Sequence, residues 1–212
     1  MQTPPLDADA VLWTDSPGQR PLIVLLHGYG SDENDLFALT DHLPEEFVYA
    51  AVRAPLTPPF PMSGNSWYPI DDLSSRDPAA ITAGAERLLE WLDAAAPNAT
   101  SVGLLGFSQG GATALQAMRL APERFEFIVT LSGYAADGSL PGDDALKAHP
   151  LPVFWGRGAL DNVIPAPAVA RTTEWLPEHS ALVGRIYPGL AHAVSAAELD
   201  DIRAFLRAQL PA

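Results

Sequence analysis

Residues 102–111 read Val-Gly-Leu-Leu-Gly-Phe-Ser-Gln-Gly-Gly. The first six form a dense apolar run without polar alternation, the pattern of a strand buried on both faces. A G-x-S-x-G match follows at once, with Ser108 between Gly106 and Gly110, and residues 109–120 then show helical spacing. A strand, a tight serine turn and a helix make a nucleophile elbow, which lifts the hydroxyl above the sheet and points a helix N-terminus at it. Composition alone yields such a match in a chain this long with a probability of roughly 0.07, so the flanking pattern carries the argument. The plainer alternative is a Gly-rich strand-to-helix turn with a serine N-cap.

Outward from the elbow, short apolar runs recur at 22–26, 47–52, 127–131, 153–155 and 183–187. Between them lie segments of helical period at 35–43, 166–176 and 196–210, with Pro177 and Pro211 expected to close the last two. The clearest helix follows Asp77-Pro78, an N-cap and first-turn proline. There Ile81, Ala85, Leu88, Leu89 and Leu92 make one apolar stripe. Alternating strands and helices imply a mostly parallel sheet with helices on both faces, the α/β class. Neither an internal repeat nor a low-complexity tract interrupts it. The long stretch 53–76 is irregular, rich in Pro and Ser, and carries Phe60, Met62, Trp67 and Tyr68. Loops of that length are commonly functional, and its aromatic content suits a wall beside a site.

Composition narrows the function. With 212 residues and 48% apolar content the chain can bury a sizeable core, and disorder is excluded. It has no cysteine, hence no thiol nucleophile and no Cys-based zinc site; only histidines and carboxylates remain for a metal, and none is expected. The 26 acidic and 12 basic residues give a charge of −14, which repels nucleic acid and anionic membranes. The first ten residues lack the pattern of a signal peptide, and no run approaches a bilayer span. A cytoplasmic protein without stable membrane insertion is expected.

In sheets of this kind chemistry gathers beyond the carboxyl ends of the strands. A serine needs a base, and the elbow architecture places an acid and then a histidine later in the chain. Two later strand ends supply them: residues 156–161 lead to Asp161, and residues 188–192 lead to His192. His27 precedes the elbow, His149 and His179 sit in polar, proline-flanked stretches that read as exposed loop, and His42 falls in a helix-like segment. Asp137, Asp143 and Asp144 lie in a Gly- and Pro-rich loop tied to no strand end. The oxyanion needs two amide donors. One is the N–H of Gln109, after the nucleophile; the other comes from the loop after the first long strand, where Tyr29 is assigned and Gly28 is the nearest rival. For Tyr29 the alternative is a plain Gly-rich turn capping the next helix.

Taken together, LLHGYGSDENDLFAL at 25–39, RAPLTPPFPMSGNSWY at 53–68, GFSQGG at 106–111, GALDNVIP at 158–165 and GLAHAVS at 189–195 resemble the phospholipase/carboxylesterase family of α/β-hydrolases, which includes the acyl-protein thioesterases. The resemblance runs from about Pro21 to the C-terminus. It implies an α/β-hydrolase fold; the length suits one domain over residues 1–212, with 1–18 an N-terminal extension or edge strand, and the absence of an obvious insertion argues against a large cap domain. It implies Ser108 as nucleophile, Asp161 as orienting acid, His192 as base, and Tyr29 and Gln109 as oxyanion donors. Trp67 is expected near the acyl pocket, with Phe60 and Met62 beside it; simple loop packing is the alternative. The implied activity is cofactor-free hydrolysis of small or medium acyl esters, lysophospholipids or acyl thioesters, with a homodimer left open. The competing readings are a non-catalytic ligand-binding protein on the same scaffold and an acyltransferase using the same triad. Residues 134–144, YAADGSLPGDD, match no thioesterase-type lid.

Overall fold

The computed structural model describes residues 3–16, 18, 20–70, 76–96, 99 and 101–210. Among these, seven strands form one sheet: β1 (Leu12–Trp13), β2 (Leu22–Leu26), β3 (Val48–Val52), β4 (Val102–Phe107), β5 (Phe127–Leu131), β6 (Leu151–Gly158) and β7 (Ser180–Tyr187). Their order is β1-β3-β2-β4-β5-β6-β7. All neighbours run parallel except the short edge strand β1, which lies antiparallel to β3. Six helices accompany it: α1 (Glu33–Phe37), α2 (Pro78–Ala95), α3 (Gln109–Leu120), α4 (Gly142–Ala148), α5 (Ala166–His179) and α6 (Ala196–Arg207).

The apolar runs are buried on both faces because helices cover both. In β2, Leu22, Val24 and Leu26 point into one core with Ile81, Ala85, Leu88 and Leu92 of α2. Ile23 and Leu25 point into the other with Leu36 of α1 and Ile202, Phe205 and Leu206 of α6. The period of two along the strand sorts the side chains, and each strand must be apolar throughout. At the head of α2 the Asp77 carboxylate accepts the Ala79 N–H at 2.9 Å, and Pro78 fills the first turn.

The structure departs from the sequence reading in four places. The 35–43 segment divides into α1 and a short 3₁₀ turn, Thr40–His42. β6 and β7 are longer than their apolar runs, because backbone pairing continues from Leu151↔Ser180 to Gly158↔Tyr187. β7 is an edge strand with half-exposed residues, so its hydropathy pattern is weak. Pro177 does not close α5: the lost amide bond falls in the last turn, where the His179 ring and the Ser180 hydroxyl donate to the carbonyls of Trp175 and Leu176, each at 2.7 Å. His179, read as an exposed loop residue, is therefore buried at a helix end and stacked on Trp175.

The fourth departure is α4, which emerges from the Gly- and Pro-rich stretch. Arg119 explains it. Its guanidinium is wholly buried, donates to both Asp143 carboxylate oxygens at 2.8 Å and to the carbonyls of Ala136 (2.9 Å) and Gly138 (2.6 Å), and lies over the Trp175 ring. Losing one partner of so buried a pair leaves an uncompensated charge, so residues 136–143 are firmly tied to α3. No helix among the described residues is long and apolar enough to cross a membrane.

Candidate active site

Ser108 follows β4 directly and adopts φ 54°, ψ −114°, a backbone conformation that side chains rarely take. The flanking glycines make the turn sterically feasible. A Cβ at Gly106 would stand 2.4 Å from the Gly110 carbonyl carbon, and one at Gly110 would stand 2.0 Å from the Leu26 oxygen. The helix thus packs directly on β2, with Ser108 at its N-terminus.

Two loops from the adjoining strands meet there. Ala159 N–H donates to Tyr187 O (3.0 Å) and Leu160 N–H to Leu190 O (2.9 Å), which ties the segment after β6 to the segment after β7. From the first, Asp161 Oδ1 accepts the amides of Val163 (2.9 Å) and Ile164 (3.2 Å), and Oδ2 accepts His192 Nδ1–H at 2.7 Å. From the second, His192 Nε2 lies 2.9 Å from Ser108 Oγ. Burial opposes ionisation of Asp161, but the bond from His192, the two amides and the charge of the imidazole outweigh it and hold its pKa below the ordinary carboxylate value. An ionised Asp161 fixes the proton on Nδ1 and leaves Nε2 free to accept.

The oxyanion candidates lie beside the serine. Gln109 is the first residue of α3, so its N–H has no acceptor within the helix. In the loop after β2, Gly30 N–H donates to Asn65 O and Ser31 N–H to Gly28 O, whereas Tyr29 N–H meets no acceptor among the described residues. Tyr29, Gln109, Ser108 and His192 all line one cleft of about 330 Å³. His27, the wrong-order histidine, supports that loop from below: its Nδ1–H donates to Gly28 O at 2.7 Å and Nε2 accepts Ala54 N–H at 3.0 Å. Burial lowers its pKa and keeps it neutral.

A family model described as phospholipase/carboxylesterase matches residues 8–210. The chain belongs to this family. The phospholipase/carboxylesterase chain is 26% identical to a probable carboxylesterase SOBER1-like protein of Arabidopsis thaliana, over 90% of its own length and 79% of the relative's. It is 25% identical to acyl-protein thioesterase 1 of Saccharomyces cerevisiae, over 90% and 93%. The crystal structure of esterase PE8 superposes with a TM-score of 0.77 at 30% identity, covering 98% of this chain and 100% of that one. The fold is accordingly that of the α/β-hydrolase esterases.

In this member of the phospholipase/carboxylesterase family the acyl-wall expectation needs correction. Met62 lines the cleft, with Ile70, Val163 and Ile164. Phe60 does not: it stands at the tip of the proline-rich loop, 96% exposed, with nothing packed over it. Trp67 does not either. It is fully buried behind the loop after β2, its Nε1–H donating to His27 O at 2.9 Å and its amide to Gln109 Oε1 at 2.8 Å. The Gln109 side chain, which also donates to Tyr68 O at 2.7 Å, thereby clamps the 65–68 segment to the elbow. Sequence reasoning gave Gln109 a backbone role alone. It also missed Tyr134 and Arg76, both lining the cleft: Arg76 Nε–H donates to Tyr134 Oη at 3.0 Å, and Tyr68 Oη lies 2.6 Å from Tyr134 Oη. Residues 71–75 of the same long loop lie outside the described residues. A larger recess of about 670 Å³, between Thr14, Arg20, Glu46 and Arg207, lies near the amino end of β3, remote from Ser108, and holds neither histidine nor nucleophile–base pair. No three metal-binding side chains converge among the described residues.

One more ionisable group lies near the site. Glu198, in the first turn of α6, is 0% exposed and neither carboxyl oxygen has a hydrogen-bond partner. Burial, partly offset by the nearby Ser195 amide and reinforced by the Asp201 charge, pushes its pKa up to about 7 from 4.5. Between those two values the folded chain keeps a proton that the unfolded chain releases, so this residue makes stability fall as pH rises through that window. Across that window the effect amounts to about 3 kcal/mol. Glu198→Gln removes the titration. Its Tm relative to the parent is expected to climb between pH 4.5 and 8 in thermal melts; a pH-independent difference would contradict the raised pKa.

Proposed function

We propose that this carboxylic ester hydrolase acts on small or medium acyl esters through an acyl-enzyme on Ser108. The reading is carried by one observation: a single imidazole, His192, within hydrogen-bond distance of both the Ser108 hydroxyl (2.9 Å) and the Asp161 carboxylate (2.7 Å). Ser108 Oγ attacks the acyl carbonyl while His192 Nε2 takes its proton. The same nitrogen returns that proton to the leaving alcohol or thiol. Asp161 keeps the imidazole in the useful tautomer and balances its transient charge. The oxyanion is received by the amides of Tyr29 and Gln109, at the N-terminus of α3. Water, deprotonated by His192, then releases the acid.

The cleft supports a short to medium acyl chain. Its volume of about 330 Å³ is small for a ligand site and is shared by acyl and leaving groups. Met62, Ile70 and Ile164 favour an apolar chain, while the tethered Tyr134 hydroxyl and the Arg76 guanidinium put polar atoms on the same wall. A p-nitrophenyl ester series from acetate to palmitate tests this, run beside lysophospholipid and acyl-thioester substrates because one relative is a thioesterase. Acetate to hexanoate are expected to lead, with kcat/KM at palmitate lower by roughly tenfold or more. A kcat/KM that rises steadily to palmitate would overturn the small-to-medium assignment.

A further inference from the structure

The mechanism above leaves Glu198 without a task, although an unpartnered buried carboxyl is costly to keep. Its surroundings supply one. Ser195 is the N-cap of α6 and its hydroxyl accepts the Glu198 N–H at 3.2 Å, half of a capping box. In the full motif the Glu side chain returns to the N-cap amide. Here the Ser195 amide lies close enough to lower the carboxyl's pKa but outside hydrogen-bond geometry, and Oε1 lies beside Gly156 of β6.

The room it occupies is made by glycine. A Cβ at Gly156 would fall 2.1 Å from Glu198 Oε1. Two residues on, on the same face of β6, a Cβ at Gly158 would fall 2.1 Å from Leu190 O and 2.4 Å from Ala191 O. The two glycines therefore receive the two ends of one segment. Gly158 takes the backbone entering His192, and Gly156 takes the side chain that follows it into α6. His192 hangs between these two contacts. The charged and titratable groups around Glu198 are Asp201 one turn along α6 and, from β7, Tyr187, whose hydroxyl donates to Asp201, and Arg185, 3.7 Å from Asp201; the linking segment contributes His192, and β6 presents no charge on this face. Among the described residues no cation answers the carboxyl directly.

We propose that Glu198 is a positioning residue: seated in the Gly156 notch, its side chain fixes the start of α6 and so sets where His192 stands relative to Ser108. The inference rests on the acyl-enzyme reading, in which that placement governs the proton transfer. Displacement of a base by about 1 Å can cost on the order of 100-fold in rate.

The test uses three variants with p-nitrophenyl acetate, measured well below their melting temperatures. Glu198→Ala empties the notch, and Gly156→Ala fills it from the strand side and drives the carboxyl out. Each is expected to lower kcat roughly tenfold or more with KM nearly unchanged, and to slow fluorophosphonate labelling of Ser108 in parallel. Glu198→Gln, neutral and of the same shape, is expected to keep kcat within about threefold. Should Glu198→Ala fail to fold, Gly156→Ala carries the same reading. Wild-type kcat in folded Gly156→Ala or Glu198→Ala overturns the proposal, as does a Glu198→Gln variant as slow as Glu198→Ala. Ser108→Ala in the same assay separates the two levels. Turnover there would remove the acyl-enzyme reading itself, whereas a dead Ser108→Ala beside fully active notch variants would remove only the positioning role.

Discussion

Ser108→Ala is expected to lower kcat by roughly 10⁵-fold or more with the fold intact. The substitution removes one oxygen and its contact with His192 Nε2, 2.9 Å away. It leaves the elbow backbone with the same non-glycine side-chain demand at φ 54°. The imidazole is partly open to solvent, so water can satisfy the vacated acceptor and little stability is lost. The residual rate measures what the amides of Tyr29 and Gln109 and simple binding still contribute. Steady-state kinetics with a circular-dichroism melt checks both halves. A variant that keeps turnover in a clean preparation would assign the nucleophile elsewhere.

The second large effect is that of Asp161→Asn, expected to lower kcat by about 10⁴-fold with KM little changed. The retained Oδ1 still accepts the Val163 and Ile164 amides, so the loop keeps its shape. What changes is the atom facing His192 Nδ1. An NH₂ now donates where Oδ2 accepted at 2.7 Å, which moves the imidazole proton to Nε2. That nitrogen then has no lone pair for the Ser108 hydroxyl. A loss below about tenfold would show that the imidazole keeps its tautomer without the acid.

The candidate site was legible in sequence where chemistry and topology coincide. The apolar runs at 102–107 and 127–131 and the helix at 109–120 appear with those bounds, because strands enclosed on both faces have no polar alternation to blur them. Ser108, Asp161 and His192 each follow a strand end, and the parallel sheet brings those ends to one rim. What escaped the reading depends on contacts between distant residues. Trp67 looked like an acyl wall because it is aromatic and lies in a long loop, yet its indole is turned inward by the His27 carbonyl. α4 was hidden in a Gly- and Pro-rich stretch because its anchor, Arg119, lies on another helix. The Gly156–Glu198 contact was all but hidden, since a strand glycine and a helix glutamate 42 positions apart share no local pattern. Its one trace was the S-x-x-E spacing from Ser195, which announces a cap and not an inward-turned carboxyl.

In the proposed mechanism one serine, activated by His192, carries the acyl group. Fluorophosphonate labelling of the intact chain, followed by mass measurement and peptide mapping, tests it most directly. The expected result is a single adduct per chain, on Ser108, formed as esterase activity disappears and absent from Ser108→Ala. Undiminished ester hydrolysis in a chain that takes up no label, or a stoichiometric adduct on any other residue, would contradict it.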